Sequence, residues 1–157
     1  MSRAGQSITI LMADDDPDDR MLTRDAFAES RLANDLRFVT NGEELMDYLR
    51  RRGPYSATAA APRPDVILLD LNMPRKSGRE ALREIKGDAN LRRIPVIILT
   101  TSKAEEDVYR GYDLGANCYI QKPVTFDSLV EVVRALGSFW FQIVTLPPGT
   151  VGGHHAP

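Results

Sequence analysis

The chain has a single cysteine, Cys118, among its 157 residues, and it has no long hydrophobic run. One cysteine excludes an internal disulfide bond and fits a reducing compartment. No apolar stretch reaches the roughly 20 residues that a membrane-spanning helix needs, and the N-terminus lacks the apolar segment of a signal peptide. We therefore expect a cytoplasmic protein that has no association with membranes.

An excess of basic charge is also missing. Lys and Arg number 20, Asp and Glu number 22, and the formal net charge is -2. The densest basic run, Arg50-Arg51-Arg52, is typical of a helix C-terminus, where the helix dipole favours cations. We therefore expect no nucleic-acid partner.

The length predicts one domain, at residues 1–150, followed by a disordered tail at 151–157.

Apolar runs and helical patterns alternate five times along the chain. The predicted strands lie at 8–13, 36–40, 65–69, 95–99 and 118–121. The predicted helices lie at about 17–32, 43–52, 79–88, 104–114 and 125–145. This alternation predicts an α/β fold, a doubly wound five-stranded parallel sheet with helices on both faces. Ligands of such sheets bind at the carboxyl edge of the strands.

The predicted last helix is long for so small a domain. Its apolar stripe continues at helical spacing through four large side chains, Phe139, Trp140, Ile143 and Val144. Some twenty helical residues span about 30 Å, so the final turns would extend beyond the sheet. Since an exposed apolar patch usually marks an interface, the stripe predicts a homodimer. The alternative is that these side chains fold back onto their own domain.

The Pro- and Ala-rich segment 53–64 is predicted to be a surface loop.

Polar side chains stand where the predicted strands end. Asp14 and Asp15 follow the first strand, and Asp70 follows the third. Thr100 and Lys122 follow the fourth and the fifth. Helix capping alone does not explain Asp14 and Asp15, because Asp16, the next residue, already suits the N-cap of the first helix. Hard carboxylate oxygens are the ligands of Mg²⁺ and Mn²⁺, so the acids predict a divalent-cation site.

Asp70 is the candidate nucleophile of this site. A carboxylate can attack phosphorus and form an acyl phosphate when a cation and hydrogen-bond donors offset the charge of the transition state. Thr100 supplies a hydroxyl and Lys122 an ammonium group. Each residue alone is an ordinary strand-end residue, whereas the set favours phosphoryl chemistry.

Residues 7 to 137 resemble the receiver domain of two-component response regulators. The resemblance rests on Asp14-Asp15, on the Asp-Leu-Asn-Met-Pro run that begins at Asp70, on Thr100 after Ile-Ile-Leu, and on Tyr119 ahead of Lys122-Pro123. It implies a flavodoxin-like fold with the strand order 2-1-3-4-5. It also implies that the domain accepts a phosphoryl group from a histidine kinase and is not a turnover enzyme on external substrates.

The resemblance assigns a role to each residue of the set. Asp70 would be the phosphoacceptor, and Asp14 and Asp15 would bind Mg²⁺ together with Asp70 and the backbone carbonyl of Asn72. Thr100 and Lys122 would contact the phosphoryl group, and Thr100 would act with Tyr119 as the switch that alters partner binding.

The Asp-Asp-Pro-Asp-Asp-Arg run, the Gly53-Pro54-Tyr55 loop and the tail from Phe139 resemble a subgroup of small regulators. These regulators are the partners of phytochrome-type photoreceptor histidine kinases, and they have no output domain. Three other functions remain open at this point. They are an aspartate-nucleophile phosphatase of the dehalogenase type, a receiver-like scaffold that is not phosphorylated, and a flavodoxin-like cofactor protein.

Overall fold

A computed structural model describes residues 8–30, 33–57, 60–100, 116–121, 125–132 and 134 of the chain. Five strands form one sheet: β1 (Ile8–Ala13), β2 (Asn34–Val39), β3 (Val66–Asp70), β4 (Val96–Thr100) and β5 (Ala116–Gln121). Their order is β2-β1-β3-β4-β5, and every neighbouring pair is parallel. The predicted parallel sheet and the strand order implied by the resemblance are therefore confirmed.

Helices follow the first three strands. They are α1 (Pro17–Ala28), α2 (Gly42–Arg50) and α3 (Gly78–Gly87), and residues 126–132 are also helical. Polar side chains begin all three named helices, because each satisfies a backbone N–H of the first turn. Asp16 accepts the N–H of Asp18 before α1, as predicted. The other two caps are Asn41 before α2 and Ser77, in a capping box, before α3.

The central strands are buried on both faces. Leu11 and Leu69 belong to a layer of apolar side chains that includes those of α2 and α3. Met12 and Leu68 belong to the opposite layer, together with Phe27 of α1. Each of these five side chains is at most 1% exposed. The helices therefore cover both faces, as predicted, and the carboxyl edge of β1 and β3 is held between two packed layers.

Two helices end earlier than predicted. α1 stops at Ala28 rather than near residue 32, and the side chains of Ser30 and Asn34 donate hydrogen bonds to the carbonyl of Phe27 in its last turn. These donors replace backbone N–H groups of a further turn. α2 stops at Arg50 because Arg51 adopts a left-handed conformation, with φ 54°, as its C-cap.

The fifth strand begins earlier than predicted. The predicted strand starts at residue 118, but Ala116 already pairs with Val96. The next pair is Cys118 with Ile97, which leaves Asn117 as an extra residue. Asn117 therefore forms a β-bulge in β5.

The segment predicted to be a surface loop is partly packed against the core. Ala61 is only 1% exposed, and a short 3-10 turn ends at Tyr55. The hydroxyl of Tyr55 donates to the Glu44 carboxylate at 2.6 Å, and that of Tyr48 donates to the carbonyl of Pro62 at 2.8 Å. Burial is the main cause that raises the pKa of Tyr55, and the hydrogen bond to Glu44 raises it further. The hydroxyl therefore keeps its proton and remains a donor.

Several predicted features lie outside the described residues. They are the helix at 104–114, the extension that carries Phe139, Trp140, Ile143 and Val144, and the tail at 151–157. Among the described residues, no helix is both long enough and apolar enough to cross a membrane.

Gly78 allows the backbone of α3 to approach the end of β3 closely. A Cβ atom at this position would collide with the carbonyl oxygen of Asp70 and with Cα of Leu71. Because the obstacle is backbone, we expect Gly78→Ala to lower the free energy of unfolding by about 3 kcal/mol or more, at or beyond the usual cost of overpacking. Urea denaturation measures this change.

Gly87, at the other end of α3, is the matched control. A Cβ atom there would meet no atom within 4 Å. Gly87→Ala should therefore leave stability unchanged or raise it by up to about 1 kcal/mol. Equal stabilities of the two variants would contradict the close approach at Gly78.

Candidate functional site

Three carboxylates meet at the carboxyl edge of β1 and β3. These strands are neighbours, with Ala13 opposite Leu69, so the residues that follow in each strand lie side by side. One carboxylate oxygen from each of Asp14, Asp15 and Asp70 lies within 4.8 Å of the other two. The structure thus brings together the three acids that the sequence analysis placed at this edge.

Two of the three acids are buried, and each accepts a hydrogen bond from its own turn. Asp14 is 0% exposed and Asp70 is 1% exposed, whereas Asp15 is exposed. An Asp14 oxygen accepts the N–H of Asp16 at 2.9 Å. An Asp70 oxygen accepts the N–H of Asn72 at 3.0 Å. These bonds orient the two buried carboxylates where the strands end.

The backbone of Asp14 is also held in place. Its N–H donates to the carbonyl of Val39 at 3.1 Å, and its carbonyl accepts from the Arg20 guanidinium at 2.8 Å. A residue fixed by backbone and side-chain bonds can present its carboxylate without further ordering cost on binding. Asp16 fills the N-cap of α1, so the two preceding acids are not needed there.

The charge of this cluster favours a divalent cation. Negative charges on three carboxylates so close together repel one another, and burial of two of the groups reduces screening by water. Oxygen ligands are those that Mg²⁺ and Mn²⁺ prefer. The three carboxylates therefore fit a hard divalent ion. Asp14 and Asp70 come from the two strand ends, and Asp15 is accessible from solvent.

A tight loop connects Asp70 to α3. Gly78 N–H donates to the carbonyl of Leu71 at 3.1 Å, and Gly42 N–H donates to the carbonyl of Lys76 at 2.8 Å. The Arg79 guanidinium donates to the side-chain oxygen of Asn72 at 2.9 Å and to the Leu71 carbonyl at 3.4 Å. The loop is thus attached both to α3 and to the start of α2.

Arg79 was not among the site residues predicted from the sequence. A signal was present, because a cation in the first turn of a helix is unfavourable to the helix dipole. Arg79 is the second residue of α3, behind the Ser77 cap. The contact with Asn72 explains why an arginine occupies this otherwise unfavourable position.

The remaining candidates are only partly described. Thr100 ends β4, one residue beyond the pairing of Leu99 with Asp70, so its backbone lies at the acidic edge. Tyr119 lies in β5 opposite Ile98. Lys122 and the four residues of the predicted dimer stripe lie outside the described residues.

A flavodoxin-like sheet with an acidic cluster where β1 and β3 end defines a class of phosphoryl-accepting domains. Comparison with protein families agrees: the response regulator receiver domain matches residues 10–134. The chain belongs to the response regulator receiver domain family. Its relatives imply a histidine kinase as partner and a divalent metal as ligand.

Rcp1, RcpA and RtBRR are among the relatives that match most of the length of this chain. Response regulator Rcp1 of Synechocystis sp. is 41% identical over 138 residues, which are 88% of this chain and 92% of that protein. The crystal structure of the phosphorylated cyanobacterial phytochrome response regulator RcpA is 44% identical, with a TM-score of 0.73, and covers 90% of this chain and 99% of its own. The bacteriophytochrome response regulator RtBRR is 39% identical, with a TM-score of 0.76, and the match covers 94% of this chain and 88% of that chain.

A structure of Rcp1 was solved in its Mn²⁺-bound form, with 41% identity, a TM-score of 0.73 and coverage of 89% of this chain and 99% of its own. The acidic cluster of the present chain has the donor chemistry that such an ion requires.

Proposed function

We propose that this chain is a response regulator whose Asp70 accepts a phosphoryl group from a histidine kinase in a Mg²⁺-dependent reaction. The observation that carries the proposal is the meeting of Asp14, Asp15 and Asp70 within 4.8 Å. On this proposal the chain is a cytoplasmic regulator rather than a turnover enzyme. Residues 1–150 form one receiver domain, and neither nucleic acid nor membrane is a partner.

The proposed transfer is a displacement at phosphorus. A carboxylate oxygen of Asp70 forms the new P–O bond as the P–N bond of the kinase phosphohistidine breaks, and the electron pair of that bond stays on the imidazole nitrogen. Asp14, Asp15, Asp70 and the carbonyl of Asn72 would hold the Mg²⁺ ion. When bound, the ion neutralises charge on the phosphoryl oxygens.

The proposed response to phosphorylation lies on the neighbouring strands. The Thr100 hydroxyl and the Lys122 ammonium group contact the new phosphoryl group, which carries about two negative charges, one more than an ionised carboxylate carries. Thr100 and Tyr119 then change position together, so the phosphorylated domain favours different partners. This is a shift between two conformations by a local change of charge.

A phytochrome-type photoreceptor kinase is the proposed donor, since RcpA and RtBRR are phytochrome and bacteriophytochrome regulators. The test is to phosphorylate such a kinase with radiolabelled ATP and add the purified chain. We expect label to move from the kinase to the chain when Mg²⁺ is present and to remain on the kinase when a chelator is added. Label that remains on every kinase tried, with Mg²⁺ present, would contradict the proposal.

We also propose a homodimer through Phe139, Trp140, Ile143 and Val144, because their helical spacing continues an apolar stripe. Trp140→Glu would place a charge in this interface, so we expect the variant to be largely monomeric in sedimentation velocity at concentrations where the wild type is a dimer. Trp140→Phe, which keeps an aromatic surface, should remain dimeric. A wild-type chain that is a monomer, or a Trp140→Glu dimer of unchanged affinity, would refute this interface.

A further inference from the structure

Arg79 reaches back from α3 to the residues that follow Asp70. Its guanidinium donates to the Asn72 side-chain oxygen at 2.9 Å and to the Leu71 carbonyl at 3.4 Å. Arg79 is half-buried, whereas Asn72 is exposed. Without this contact, water would compete for the polar groups of an exposed residue and the local backbone would be less ordered.

The peptide unit between Leu71 and Asn72 is held at both ends. Its N–H, that of Asn72, donates to the Asp70 carboxylate at 3.0 Å. Its carbonyl, that of Leu71, accepts from the N–H of Gly78 at 3.1 Å and from Arg79. A carbonyl has two lone pairs and can accept both donors. With this peptide fixed, the remaining freedom of Asn72 lies in its own φ, ψ and side chain, and Arg79 holds that side chain.

We infer that Arg79 is a positioning residue for the divalent cation, because it holds the Asn72 side chain and the peptide before it and thereby limits the directions that the Asn72 carbonyl can take. This inference depends on the proposed function, in which that carbonyl is a metal ligand. The planar guanidinium suits the task, since its N–H groups reach two acceptors at once, which a single ammonium group does less well.

The sign of the effect separates positioning from simple charge. A guanidinium near a cation site repels the cation, so if charge alone mattered, its removal would tighten metal binding. If Arg79 positions Asn72, its removal weakens metal binding. Groups that orient metal ligands typically contribute 10- to 100-fold in affinity, and for this solvent-accessible contact we expect about 10-fold.

The experiment measures Mn²⁺ affinity by electron paramagnetic resonance of the free ion, with no phosphodonor present. We expect Arg79→Ala to bind Mn²⁺ about 10-fold more weakly than the wild type. Arg79→Lys keeps the charge but loses the paired geometry, so its Mn²⁺ affinity should lie between those of the wild type and Arg79→Ala. Arg83→Ala removes the same charge from an exposed position one turn further along α3 and should not weaken binding.

A double-mutant cycle with Asn72→Ala completes the test, because this change removes the acceptor and keeps the backbone carbonyl. If Arg79 acts through Asn72, Arg79→Ala should have little further effect in the Asn72→Ala background. Unchanged or tighter Mn²⁺ binding by Arg79→Ala, or an equal loss in both backgrounds, would overturn the inference. Failure of the wild type to bind Mn²⁺ would instead contradict the proposed function.

Discussion

The Asp70→Asn variant is expected to take up no phosphoryl label from a phosphorylated histidine kinase. The substitution replaces a nucleophilic carboxylate with an amide of the same shape, and an amide does not form an acyl phosphate under these conditions. The amide oxygen can still accept the N–H of Asn72, the bond that orients Asp70 in the wild type. We therefore expect the fold to persist and the label to fall to background.

A metal control is needed because Asp70 belongs to the acidic cluster. Loss of label could arise from loss of the cation rather than of the nucleophile. The assay should therefore be repeated while Mg²⁺ is raised until the wild-type rate no longer increases. Asp70→Asn should stay unlabelled at every concentration. Label that persists in Asp70→Asn and resists hydroxylamine, which cleaves acyl phosphates, would place the phosphoryl group on another residue and remove Asp70 from its role.

The acidic cluster was predictable because it follows from a topological rule. Parallel strands place their carboxyl ends at one edge, so Asp14 and Asp70 had to approach each other once β1 and β3 were neighbours. That adjacency itself came from the family resemblance, because the alternation of strands and helices does not fix the order of strands. The order β2-β1-β3-β4-β5 confirms it.

Features that depend on tertiary contacts were not predictable in this way. Arg51 ends α2 in a left-handed conformation, although arginine has no preference for it. Ala61 is buried in the core although it belongs to a segment whose composition is that of a loop. The contact of Arg79 with Asn72 joins residues seven positions apart across a turn, and hydrophobic periodicity contains no information about it.

The second large effect is expected for Asp15→Asn, in the affinity for the divalent cation. Asp15 is the exposed acid of the cluster, so the change to an isosteric amide should alter no packing. It removes one full charge from the site. Groups that only orient ligands contribute up to about 100-fold in affinity, so we expect the loss of this carboxylate to weaken Mn²⁺ binding by at least about 100-fold.

The same loss should appear in stability. At a metal concentration 100 times the wild-type Kd, bound cation stabilises the folded wild type by about 2.7 kcal/mol. With 100-fold weaker binding the same concentration contributes only about 0.4 kcal/mol. Thermal or urea unfolding with and without metal measures both values. Phosphorylation of Asp15→Asn should recover as Mg²⁺ is raised, whereas that of Asp70→Asn should not.

Asp16→Asn is the matched control for Asp15→Asn, because it removes the same charge from the adjacent residue. Asp16 accepts the N–H of Asp18 as the N-cap of α1, and Asn is an equally good N-cap, so the stability of the metal-free protein should not change. If Asp15 is a ligand, Asp16→Asn should weaken Mn²⁺ binding only a few-fold, through long-range charge that salt screens. Equal losses in the two variants would show that the site attracts cations through its summed charge, with no coordinating role for Asp15.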